Sequence, residues 1–152
     1  MSLQLTWEIE GATELSRRLN FIGAGLSDWT PAFKRTANYL RSFAMSEVFE
    51  TEGAVYGNKW APLNPAYEAF KAQKYPGKGI LERTGKMRRG FVRDYGPDFA
   101  MVGNTVPYFR YHQSRKDRTS NLPRRVMLKL DSERKEMIVK IFQEEYFKKL
   151  RQ

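Results

Sequence analysis

The chain has no cysteine, a single histidine and no long apolar run. Without cysteine there are no disulfides, no thiolate metal sites and no cysteine nucleophile. His112 is then the sole imidazole for a Ser-His-Asp relay, and no Gly-x-Ser-x-Gly elbow accompanies it. Beside Gln113 it reads as a structural hydrogen-bonding residue. No apolar stretch approaches the roughly 18–20 residues that span a bilayer, so no membrane is expected. The segment from Met1 to Leu5 lacks a basic head followed by an apolar block, and a chain that stays in the cytoplasm where it is made, or leaves by lysis, is expected.

Phosphate-loop chemistry is also missing. Gly77-Lys78-Gly79 and Thr84-Gly85-Lys86 lack the Gly-x-x-x-x-Gly-Lys-Ser/Thr spacing that cradles a nucleotide. The acidic pairs Asp94 with Asp98 and Glu133 with Glu136 have turn or helix-surface explanations and no histidine partners. No catalytic residue, metal or cofactor is assigned, and the chain is not expected to be an enzyme.

What is present is enough for one folded domain over residues 1–152, since a chain of this size buries roughly 68–70% of its unfolded surface. Hydrophobic residues make up 41% and aromatics 14%, with a mean hydropathy of -0.65, which fits a soluble globular domain. The formal net charge is +10 and sits wholly in the second half. Residues 1–76 hold 8 basic and 8 acidic side chains, whereas residues 77–152 hold 19 and 9. Such asymmetry predicts one positive face. That face would meet a polyanion such as nucleic-acid phosphate, remain a solvated basic surface, or pair with acidic neighbours at a subunit interface.

Period-two alternation of Leu3, Leu5, Trp7 and Ile9 reads as a strand, and Leu15, Leu19 and Ile22 as an amphipathic helix. Thr30 followed by Pro31 marks the start of a helix from Pro31 to about Glu52, with Phe33, Ala37, Leu40, Ala44 and Val48 on one stripe. Residues 53–63 read as an irregular, flexible loop carrying Tyr56 and Trp60 as anchors or partner contacts. Asn64-Pro65 starts a short helix, and Thr84 caps another turn or two. Phe91 to Tyr95 and Phe99 to Gly103 flank Gly96-Pro97-Asp98 as a hairpin. Val106 to His112 reads as a short helix, residues 114–121 as a mobile polar loop, and Val126 to Leu130 as a strand. Asp131 caps a final helix to Leu150. The expected fold is α+β, with a small, mostly antiparallel sheet made of the N-terminal strand, the hairpin and the strand from Val126, packed on the long central helix and the C-terminal helix.

Four segments in order then resemble a known family. They are Phe49, Gly57 and Trp60-Ala61-Pro62-Leu63; Ile80 through Arg88; Val102-Gly103-Asn104 leading to Pro107-Tyr108 and His112-Gln113; and Leu122-Pro123-Arg124-Arg125, then Leu128 and a terminal helix. Together, over about Phe43 to Leu150, they resemble the phage virion morphogenesis family, the tail-completion and head-tail neck proteins of Mu-like tailed phages and prophages. The chain departs from the family in having Ser114-Arg115 where a glycine is common, and Arg124 where a small residue is common.

The resemblance implies a structural protein that completes the tail or neck and enables head-tail joining as a homo-oligomeric ring, taken as a hexamer, around the DNA channel. Its place would be the virion, at the neck or head-proximal tail end, after assembly in the host cytoplasm. Its partners would be other neck, connector or tail-terminator proteins, with double-stranded DNA passing non-specifically. Arg88, Arg89, Arg93, Arg115, Lys116, Arg118, Arg124 and Arg125 would face the DNA channel or an adjoining ring. Tyr56, Trp60, Pro62, Leu63, His112 and Gln113 would be subunit contacts or loop anchors. The alternative is a non-specific nucleic-acid-binding protein acting as monomer or dimer.

Overall fold

The computed structural model describes Leu15, residues 28–113 and residues 122–151. The expected N-terminal strand, most of the helix after it and the loop at 114–121 lie outside the described residues, as do Arg115, Lys116 and Arg118. The rest is a mixture of helix and sheet that divides into two units: residues 1–41, 93–103 and 129–152, and residues 42–92 and 104–128.

In the first unit the helix Thr30–Met45 begins one residue earlier than its sequence suggests, with its side-chain acceptor two residues before Thr30. Thr30 does not act as the acceptor. Instead the Asp28 carboxylate accepts from the Thr30 amide at 3.0 Å and its hydroxyl at 2.6 Å. These bonds, the hydroxyl's first, hold the Asp28 carboxyl below its ordinary pKa. The helix start and the C-terminal helix Ser132–Leu150 share a core of Leu15, Trp29, Ala32, Leu130, Ile138, Val139, Ile141 and Phe142. Phe142 is its centre: the Trp29 ring lies 5.3 Å away and Phe33 meets it edge-on at 5.0 Å. Outside that core Arg35 grips Glu144 at 2.7 Å and Glu145 at 2.9 Å. At the far end of the terminal helix, Lys149 donates to the Asp28 carbonyl and lies over the Trp29 ring.

The long helix stops at Met45, before the expected Glu52, and resumes as a single turn, Glu47–Glu50. Ser46 lies at the break, and its hydroxyl bonds back to the Ser42 carbonyl at 2.7 Å, a contact that bends helices. Gly53 then reverses the chain at φ 81°. A Cβ there would stand 2.4 Å from the Trp60 ring, so the position needs glycine for both conformation and space.

Strands β1 (Phe91–Tyr95) and β2 (Ala100–Asn104) form the expected hairpin, its turn closed by the Gly96 amide on the Phe99 carbonyl at 2.9 Å. They are the only sheet among the described residues. The strand expected from Val126 to Leu130 is therefore corrected: those residues join no ladder. The hydrogen bonds explain why, since the amides of Met127 and Leu128 and the carbonyls of Val126, Met127 and Leu128 bond to side chains and not to a neighbouring strand. The core of the second unit is a run of edge-on rings, Trp60 on Phe49, Phe49 on Phe91 and Phe91 on Phe109.

Asp131 caps the terminal helix through the Arg134 amide at 2.9 Å and also pairs with the buried Arg134 side chain at 3.1 Å. Asp131→Ala removes both interactions and is expected to cost about 1–3 kcal/mol in urea unfolding. Asp131→Asn keeps the cap acceptor and is expected to lose clearly less. Equal losses in the two variants would remove the cap from the account.

Candidate functional site

Of the described residues singled out in the sequence, all but Arg93 lie in the second unit, and Tyr56, Trp60, Gln113 and Arg125 meet around the loop at 53–63 and the stretch at 122–128. Trp60 is 6% exposed and donates from its indole nitrogen to the Val126 carbonyl at 2.9 Å. Tyr56 stacks near Phe43 and its hydroxyl reaches the Met127 carbonyl at 3.3 Å. Both rings pin the loop to the core, so Trp60 offers almost no surface to another subunit. Pro62 is exposed and Leu63 half-buried.

Gln113, at the end of the short helix Phe109–Gln113, is buried. Its carboxamide oxygen accepts from the Met127 and Leu128 amides at 2.9 and 3.0 Å, and its nitrogen donates to the Leu128 carbonyl at 2.6 Å. One amide side chain thus satisfies backbone groups on two residues. His112 is half-buried, and its carbonyl accepts the Arg125 amide at 2.9 Å. Asn104 performs a similar task unforeseen in the sequence. It donates to the Met87 carbonyl at 2.7 Å and accepts from the Val106 amide at 2.9 Å.

The basic residues separate by environment. Arg125 is corrected from the outward-facing set: it is 4% exposed. Its guanidinium donates to the Ala61 carbonyl at 3.0 and 2.9 Å and to that of Pro62 at 3.1 Å. Burial pushes its pKa down. Arg88 is half-buried and committed to the Met45 carbonyl at 2.6 Å and to Glu82 at 2.7 Å. Arg89 and Arg124 are exposed but tethered to the carbonyls of Thr84 and Gln113. Arg93 is exposed in the first unit, over the Tyr95 ring.

A cleft of about 820 Å³ opens beside these residues in the second unit. Leu63, Tyr67, Leu81, Tyr108, Leu122 and Pro123 form its apolar walls, and Lys71, Arg125, Arg83 and Lys86 its charged lining. Lys71 was missed by sequence reasoning, because a lysine on the helix Pro65–Lys74 reads as solvated, yet it is 4% exposed and donates to the Gly79 carbonyl. Burial lowers its pKa, with Glu82 and Glu52 opposing that shift and Arg125 adding to it. Among the described residues no group of three or more potential ligands could hold a metal, and no helix is long and apolar enough to cross a membrane.

Residues 11–146 match the model of the phage virion morphogenesis family. Mu-like prophage FluMu G protein 1 of Haemophilus influenzae is 30% identical over 92 residues, covering 59% of this chain and 62% of that protein. The chain therefore spans less than two thirds of that relative. No solved structure matches it.

Gln113→Leu would leave the buried amides of Met127 and Leu128 and the Leu128 carbonyl without partners, and is expected to cost at least about 2 kcal/mol in urea unfolding. A loss below about 0.5 kcal/mol, the range of ordinary surface substitutions, would show that the carboxamide does not hold this segment.

Proposed function

Because the chain belongs to the phage virion morphogenesis family, we propose that it is a structural virion component that completes the tail or neck and lets a filled head join a tail. The observation that carries this reading is the family match across residues 11–146, which takes in nearly all of the described fold. In this reading identical subunits form a ring on the virion axis, which requires a heterologous, head-to-tail interface that closes. A ring repeats each subunit's cations around its lumen. Arg89, Arg93 and Arg124, which the fold leaves exposed, join Arg115, Lys116 and Arg118 as the groups that would meet DNA phosphate or an acidic face of an adjoining ring. Such contacts hold or guide DNA without reading bases. Neck, connector or tail-terminator proteins are the partners, and the role is structural, with no catalytic step.

Lysates of a phage or prophage lacking this gene, viewed by electron microscopy with and without the gene restored in trans, test the reading. Filled heads beside unjoined or abnormal tails, rescued by the restored gene, are expected. Normal joined particles would contradict it and favour non-specific nucleic-acid binding, which the charge excess in residues 77–152 would then explain.

A further inference from the structure

The cleft of the second unit holds positive charge that its own walls do not answer. Arg125 bonds only to the neutral carbonyls of Ala61 and Pro62, and among the described residues no carboxylate pairs with it. Lys71 lines the same cleft and repels Arg125, with Glu52 and Glu82 offsetting part of the burden on its own ammonium. Both side chains are 4% exposed, and a buried cation that faces only neutral dipoles, as Arg125 does, retains much of its desolvation penalty. Arg83 and Lys86 are exposed on the rim, and among the described residues no acidic side chain lines the cleft.

The walls narrow the choice of anion. Tyr67, Tyr108 and Leu122 are 38%, 45% and 44% exposed there. Inorganic phosphate or a DNA backbone would answer the charge but leave that apolar surface wet. An acidic residue beside a bulky apolar one answers both. The cleft's volume of about 820 Å³ lies in the range of sites that enclose drug-sized ligands, room for more than one peptide side chain.

We propose that this cleft docks an extended peptide segment of a partner protein, seating an Asp or Glu carboxylate near Arg125 and Lys71 and an aromatic or leucine side chain against Tyr67, Tyr108 and Leu122. The partner's being another virion protein rests on the assembly reading above. The binding itself does not, so the two fail separately: one by particle morphology, the other with purified chain.

The test selects a displayed library of random peptides against the purified full chain. Synthetic versions of the winners are then measured by fluorescence anisotropy. Enrichment of Asp or Glu next to Leu, Trp or Tyr is expected. Changing those acids to Gln, or the apolar residues to Ser, should weaken binding at least about tenfold. The exposed rim pair Arg83→Ser with Lys86→Ser should weaken it severalfold without moving the melting temperature, and Leu122→Asp likewise. Arg125→Met reports on the buried cation only if its melting temperature stays near that of the parent chain. No enrichment, equal binding of the Ser-substituted peptides, displacement of the peptide by inorganic phosphate, or indifference to all cleft variants would overturn the proposal. Displacement by duplex DNA, with the same loss in the rim variants, would reassign the cleft to nucleic acid.

Discussion

The backbone from Arg125 to Leu128 is held by side chains where a strand would be held by a neighbouring strand. Gln113 takes the amides of Met127 and Leu128 and the carbonyl of Leu128. Trp60 takes the carbonyl of Val126, and Tyr56 that of Met127. The Arg125 amide goes to the backbone carbonyl of His112. Buried backbone groups must find partners, and this segment finds them in loops and a short helix far away in sequence. Remove the carboxamide of Gln113 and the placements of Trp60, Tyr56 and Arg125 lose their common reference.

That constraint explains how the most distinctive residues of the chain are used. Trp60, His112, Gln113 and Arg125 look like functional residues because aromatic, amide and cationic groups in loops often meet partners. Here Trp60, Gln113 and Arg125 are drawn inward. Trp60 reaches out of the loop at 53–63 to the Val126 carbonyl, and Arg125 reaches back to the carbonyls of Ala61 and Pro62, so residues 60–62 are tied to this segment from both partners. What remains outside is the cleft, whose apolar walls of Tyr67, Tyr108 and Leu122 this internal framework leaves exposed.

Helices were legible where a cap and a stripe agree. Asn64 before Pro65 and Asp131 before Ser132 cap as their sequence implies, at 3.0 and 2.9 Å. Thr30 misleads because Asp28 is a stronger acceptor two residues upstream. The helix break at Ser46 was hidden because a serine hydroxyl inside a helical stripe carries no period of its own. The hairpin was legible from its Gly-Pro-Asp turn. The strand from Val126 was not, because alternation of Val126, Leu128 and Leu130 is also produced by a chain gripped on all sides by side chains. The site was readable as residue types and not as directions. Arginine density shows charge, but only the fold separates the buried Arg125 from the exposed Arg93, and nothing in the sequence marks Lys71 as buried.

Hydrogen exchange at single-residue resolution tests the central claim most directly. Because Met127 and Leu128 donate to the buried Gln113 oxygen, their amides are expected to exchange as slowly as those in the interior of the helix Ser132–Leu150, and to lose that protection in Gln113→Leu while the helix keeps its own. Exchange of both amides at the rate of exposed loops in the parent chain would contradict the account.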